Sequence, residues 1–174
     1  PGLFAQQLGR VPEQGEYQLK NFGALKPWKT IFKLLNSSPE HRLLIMIRHG
    51  QAWENLNPTS NSNCEFNFEG KVIQNFDSSL TPLGKVQSET LNILLKSPSL
   101  ENPRETWFEA LGLNKPSTTF LTSPLTRTLQ TSQIVFSNLP IVSSDSERVG
   151  IVAHELLRAG IGQAVCNFRL NAHT

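Results

Sequence analysis

The chain has 174 residues and carries 16 basic against 14 acidic side chains, a net charge of +2. That length supports one domain with a core, and so even a balance gives no electrostatic footprint for nucleic acid or an anionic membrane. No apolar stretch is long enough to span a bilayer, the first ten residues lack a charged-then-apolar signal pattern, and the two cysteines, Cys64 and Cys166, read as free thiols in a reducing cytoplasm rather than a disulfide framework.

Residues 1–23 are polar and contain glycine without a clear period, which predicts an arm wrapped over the domain or partly disordered. Trp28, Ile31, Phe32, Leu34 and Leu35 fall at helical spacing, with Pro27 at the helix start and Asn36-Ser37-Ser38-Pro39 as its stop. Residues 1–40 are thus expected to be an N-terminal arm and helix, packed on a domain portion over 41–174. Residues 43–47 form an apolar run bounded by polar residues, the pattern of a buried, parallel strand, and Arg48-His49-Gly50 follows directly. The stretch from Leu56 to Ser79 is rich in Asn, Ser and Phe and too long for a tight connection. Thr81 is placed to cap a helix with Pro82 at its first position, with Val86, Leu91, Leu94 and Leu95 as its apolar side. After a loop over 97–104, a short helix is expected over 105–113, a second strand over 118–122, a helix over 124–136 with Arg127 in its first turn, and a third strand over 148–153. Ser123 reads as a helix cap, because it lacks the Gly-x-Ser-x-Gly setting of a hydrolase nucleophile. Strands alternating with helices predict an α/β fold: a three-layer sandwich with a mostly parallel central sheet.

Open α/β sheets place ligands at the carboxyl ends of their strands. An imidazole there can attack a phosphoryl group held by a guanidinium, whose planar fork of donors matches phosphate oxygens. Arg48-His49-Gly50, completed by Asn55, resembles the signature of the histidine phosphatase, or phosphoglycerate mutase-like, superfamily. Leu80-Thr81-Pro82-Leu83-Gly84-Lys85-Val86-Gln87 looks like the family's Leu-Thr-x-x-Gly-x-x-Gln helix start, and Thr122-Ser123-Pro124-Leu125-Thr126-Arg127-Thr128-Leu129-Gln130-Thr131 like its second motif, Ser-Pro-x-x-Arg followed by Thr. Gly2-Leu3-Phe4, Trp28-Lys29, and the later Glu155-Leu156-Leu157-Arg158 and Cys166-Asn167-Phe168-Arg169 are most similar to the fungal phosphomutase-like branch. Ala159 and Asn167 depart from it, standing where Glu and Asp are usual.

The resemblance implies a metal-independent phosphomonoester phosphatase, cytoplasmic and without cofactor, acting on a phosphorylated small molecule through a phosphohistidine on His49. Arg48 and Arg127 would hold the nonbridging oxygens. Asn55 would hydrogen-bond the phosphate or brace the loop after His49, and Thr128 would do likewise. A hydrogen bond from the other ring nitrogen of His49 to a backbone carbonyl would fix the attacking tautomer. The family's leaving-group acid falls on position 159, which is Ala here; Glu155, one turn earlier, is either a substitute acid or a plain surface carboxylate. His154 resembles the family's second His, but it comes too early in the chain, which is therefore expected to be truncated at the C-terminus before that His. His173 reads as incidental, and His41, before the first strand, has no partners in sequence. A second polypeptide is a possible source of the missing part. The competing functions are a phosphomutase and a catalytically impaired phosphate-binding homologue that lacks the acid.

Overall fold

The computed structural model describes residues 22, 24, 26–56, 77–141 and 150–158. In chain order these form α1 (Trp28–Leu35), a 3-10 turn (Trp53–Leu56), α2 (Pro82–Lys96), α3 (Trp107–Ala110), β1 (Leu121–Thr122), α4 (Thr126–Val135), β2 (Val152–Ala153) and a second 3-10 turn (Glu155–Leu157). The fold is mixed helix and strand with a small parallel sheet. The chain divides into two compact units, Pro1–Met46 with Ser97–Leu113 and Ile47–Lys96 with Asn114–Thr174.

In the first unit α1 begins after Pro27 and ends at Asn36, where the sequence places both signals. Pro27 has no side-chain oxygen to satisfy the first helical N–H groups. Glu101 does so from a distance, with both carboxylate oxygens 2.9 Å from the Trp28 N–H. The carboxylate also complements the positive end of the helix. α3 is shorter than its predicted range and is closed by a capping box. Glu109 N–H donates to the Thr106 hydroxyl, and Thr106 N–H donates to the Glu109 carboxylate. The Thr106 N–H and hydroxyl, donating to the Glu109 carboxylate at 2.8 and 2.9 Å, hold that carboxyl below its ordinary pKa. Trp28, Ile31, Trp107 and Phe108 are buried in this unit.

In the second unit β1 and β2 pair in parallel, Leu121 opposite Val152 and Thr122 opposite Ala153, with α4 as the crossover between them. Val152 N–H donates to the Phe120 carbonyl at 3.0 Å and His154 N–H to the Thr122 carbonyl at 2.9 Å. Both strands are shorter than the sequence predicts. α2 starts as predicted, with Thr81 Oγ1 accepting from Gly84 N–H at 3.0 Å, and packs against α4. Its buried face is Gly84, Ser88 and Leu95, whereas Val86 is exposed. Small residues on that face let the backbone come close. A Cβ at Gly84 would fall on the Gln51 carbonyl, and one at Gly50 on the Gly84 carbonyl.

The predicted strand at 43–47 does not form. These residues run as coil, with Leu44 79% and Met46 85% exposed. A strand exists only where a neighbour takes up its backbone groups, and among the described residues β1 has β2 beside it and nothing pairs with 43–47. The expected arm, most of the 56–79 stretch, Cys64, Cys166, Ala159, Asn167, Arg169 and His173 lie outside the described residues. Among the described residues no helix is long and apolar enough to cross a membrane.

Gly84→Ala tests the close approach by sign. Helix propensity alone favours Ala over Gly by about 1 kcal/mol. The approach to Gln51 predicts the opposite, a loss of about 1–3 kcal/mol as in an overpacked core, measured as a lower midpoint of urea unfolding.

Candidate active site

His49 lies in the loop that follows Ile47 and is partly buried. Its Nδ1 is 2.7 Å from the Gly50 carbonyl oxygen. A carbonyl only accepts, so Nδ1 carries the ring proton. Arg127 Nε lies 3.3 Å from Nε2. A guanidinium only donates, so Nε2 presents a lone pair. Two independent partners thus select the same neutral tautomer, the one with a nucleophilic Nε2.

Arg127 projects from the first turn of α4 and is only 3% exposed. Its Nη1 is 2.9 Å from Glu54 Oε2, and Glu54 Oε1 is 3.8 Å from His49 Nε2. A cation, a carboxylate and a neutral imidazole therefore form one triangle. Burial is the main cause that holds the His49 pKa below its ordinary value of 6.5. The positive charges of Arg127 and Arg48 push the same way, while the Gly50 carbonyl and Glu54 oppose them.

The surrounding hydrogen bonds fix this triangle. Thr131 Oγ1 accepts from Gly50 N–H at 3.1 Å and donates to the Arg127 carbonyl at 2.8 Å, which joins the His49 loop to the helix that carries Arg127. Gln51 is held by α2: its N–H donates to Gln87 Oε1 (2.8 Å), its carbonyl accepts from Thr81 N–H (2.9 Å), and its Oε1 accepts from the Thr81 hydroxyl (2.9 Å). Thr81, Gly84 and Gln87, one helical turn apart, all act on Gln51, which is a physical reason for the Thr-x-x-Gly-x-x-Gln spacing. Ala52 bridges Leu80, and Glu54 N–H donates to the Ser78 hydroxyl at 3.1 Å. α4 begins after Leu125, which has no capping oxygen. Asp77 supplies it, accepting from Thr126 N–H and from the Thr126 hydroxyl, each at 2.7 Å. Ser123, the expected cap, makes only a 3.4 Å contact with Leu125 N–H.

Of the residues singled out by sequence, His49 and Arg127 come together. Arg48 is exposed and acts on His49 through its charge. Asn55 Oδ1 accepts from Ala52 N–H at 2.9 Å, across the 3-10 turn. The Thr128 hydroxyl points at the Leu125 and Ser123 carbonyls, at 2.6 and 2.7 Å. Glu155 is exposed after β2 and pairs with Arg158 at 2.7 Å, and His154 Nδ1 accepts from Leu156 N–H in the same turn. Sequence reasoning missed Glu54 and Asp77, whereas Thr131 closes the second motif. The spacing of Thr131 four residues after Arg127 puts both on one helix face and signals a link; Glu54 and Asp77 carry no such local signal. Among the described residues no group of three or more His, Cys, Asp or Glu side chains gathers to hold a metal ion.

No family model matches the chain. The chain is similar to phosphomutase-like protein 3 of Candida albicans, 29% identical over 146 residues, which cover 79% of this chain and 41% of that protein. It spans about two fifths of the length of the curated relative it matches.

The lowered His49 pKa sets the pH behaviour. Below 6.5 the unfolded chain takes up the His49 proton before the folded one does. The stabilisation contributed by the neutral ring is present above that pH and is lost as pH falls through the folded pKa. The His49 ring signals in an NMR titration are expected to move with a midpoint below 6.5. Arg127→Gln is expected to raise that midpoint and Glu54→Gln to lower it, because each removes one charge from beside Nε2.

Proposed function

We propose that this chain carries the phosphoryl-accepting site of a metal-independent phosphomonoester phosphatase of the histidine phosphatase type, akin to the fungal phosphomutase-like branch. The observation that carries the reading is the pair of bonds on His49: Nδ1–H to the Gly50 carbonyl and Arg127 Nε to Nε2. The Nε2 lone pair attacks phosphorus in line, the P–O ester bond breaks, and the alcohol or phenol departs. As the ring gains positive charge, the Gly50 carbonyl stabilises the Nδ1–H. Arg127 and Arg48 neutralise the phosphoryl oxygens, which is the main protein contribution to such a transfer. Water then cleaves the P–N bond, giving inorganic phosphate and free His49. Glu155 is left out of this chemistry, since Arg158 holds its carboxylate. The leaving-group acid and a second His come, in this reading, from sequence outside the described residues or from a second polypeptide. The β1–α4–β2 crossover is taken as part of a three-layer sandwich with a mostly parallel sheet. The substrate is a phosphorylated small molecule, and the setting is cytoplasmic.

A second reading is favoured by the likeness to the Candida phosphomutase-like protein. A phosphomutase uses the same phosphohistidine but returns the phosphoryl group to another hydroxyl, so it must keep water away.

The test is hydrolysis of p-nitrophenyl phosphate in excess EDTA. Nitrophenolate leaves without protonation, so the assay bypasses the acid and reports the nucleophile and arginines. Turnover is expected to persist in EDTA, to vanish in His49→Ala, and to fall by roughly 100- to 1,000-fold in Arg127→Gln, the range for loss of one preorganised donor. Equal turnover by the folded His49→Ala protein would overturn the phosphohistidine. Transfer to added alcohol in place of inorganic phosphate release would select the mutase.

A further inference from the structure

We infer that the Glu54 carboxylate occupies the oxyanion seat beside Arg127 and competes with the phosphoryl group for its guanidinium. This rests on the reading of His49 and Arg127 as a phosphoryl site. Glu54 Oε2 is 2.9 Å from Arg127 Nη1, and Oε1 is 3.8 Å from His49 Nε2. For attack, phosphorus must come within about 3–3.5 Å of Nε2. Its oxygens would then take the volume that the carboxylate fills and would bond the same guanidinium.

Two anions cannot share that seat, because like charges juxtaposed at a desolvated contact repel. Glu54 must therefore swing away before substrate docks. Its backbone cannot follow easily. Ser78 accepts its N–H, and the turn is closed by the Asn55–Ala52 bonds and the Ala52–Leu80 bridge. The motion falls on the Glu54 side chain alone.

The consequence is selectivity. An oxyanion with no organic group, such as inorganic phosphate, has to displace Glu54 unaided and binds weakly. A phosphomonoester has further contacts to offset the displacement. Glu54 is thus a specificity-determining residue that disfavours retention of the product and requires recognition of the organic part of the substrate.

The test is binding of inorganic phosphate, by calorimetry or phosphorus NMR, to the wild-type chain, Glu54→Gln, and the double variant Glu54→Gln with Arg127→Gln. Glu54→Gln keeps the shape and removes the charge. It is expected to bind phosphate at least about tenfold more tightly, a difference of about 1.4 kcal/mol, and the double variant is expected to lose the gain. A damaged site loses affinity, so a gain separates release of a competitor from a merely structural role. Glu54→Ala, checked by its unfolding transition, should gain as well. Equal or weaker binding by both folded variants would overturn the inference while leaving the phosphoryl site standing. Loss of turnover on alkyl phosphates alone, with phosphate binding unchanged, would also overturn it and make Glu54 a proton donor. No phosphate binding by any folded form, with no hydrolysis of p-nitrophenyl phosphate, would remove the phosphoryl-site reading itself.

Discussion

A guanidinium that is almost wholly buried dictates the arrangement of the second unit. Arg127 carries its charge into a desolvated position at the first turn of α4, where the helix already presents its positive end. Left alone, that accumulation of positive charge would be costly. Two carboxylates answer it from elsewhere in the chain: Asp77 on the helix terminus and Glu54 on the guanidinium. Both belong to segments that the Ala52–Leu80 bridge draws together. The same bridge, with the grip of Thr81 and Gln87 on Gln51, sets the path of the His49 loop. Placing His49 and neutralising Arg127 are thus consequences of one piece of backbone geometry. That geometry needs Gly50 and Gly84, since a Cβ at either would meet backbone.

The parts of this arrangement that could be read from sequence are those set by local rules. Pro27 and Thr81-Pro82 announce helix starts because a fixed φ and a hydroxyl act within one turn. Arg127 is legible as a first-turn residue for the same reason. The long-range pairings were not legible. Neither Pro27 nor Leu125 can cap a helix, and nothing near them in sequence reveals that Glu101 and Asp77 will do so from 73 and 49 residues away. The apolar run at 43–47 misled because hydrophobicity records what a segment could bury, while a strand also needs a neighbour to accept its hydrogen bonds. Val86 misled for a related reason. The face α2 turns inward is chosen by how closely Gly84 and Ser88 let the backbone approach, rather than by the largest side chains.

Glu54 shows why a site can be partly visible. Its sequence position lies inside the window from His49 to Asn55, yet the pattern there points to the nucleophile and the closing Asn. Only the 3-10 turn folds the carboxylate back onto Arg127. The sum of charges then matters. In the resting triangle a neutral imidazole, one cation and one anion cancel, which is what a partly buried site tolerates. Arg48, exposed beside it, adds a positive charge that helps hold the His49 pKa down.

Two of the contacts Arg127 makes, with His49 Nε2 and with Glu54, are ones the proposed phosphoryl transfer would have to undo. Its Nε donates to the Nε2 lone pair that would attack, and its Nη1 donates to the carboxylate that we infer lies in the path of the phosphoryl oxygens. A phosphoryl group offers acceptors for both donors at once. In the proposed reaction the guanidinium would exchange a nitrogen and a carboxylate for phosphoryl oxygens and stay paired, and Nε2 would be released only with its target in place. Burial of the cation, the tautomer of His49 and the position of Glu54 are then three aspects of one requirement. The donors must be satisfied both before and after the anion arrives.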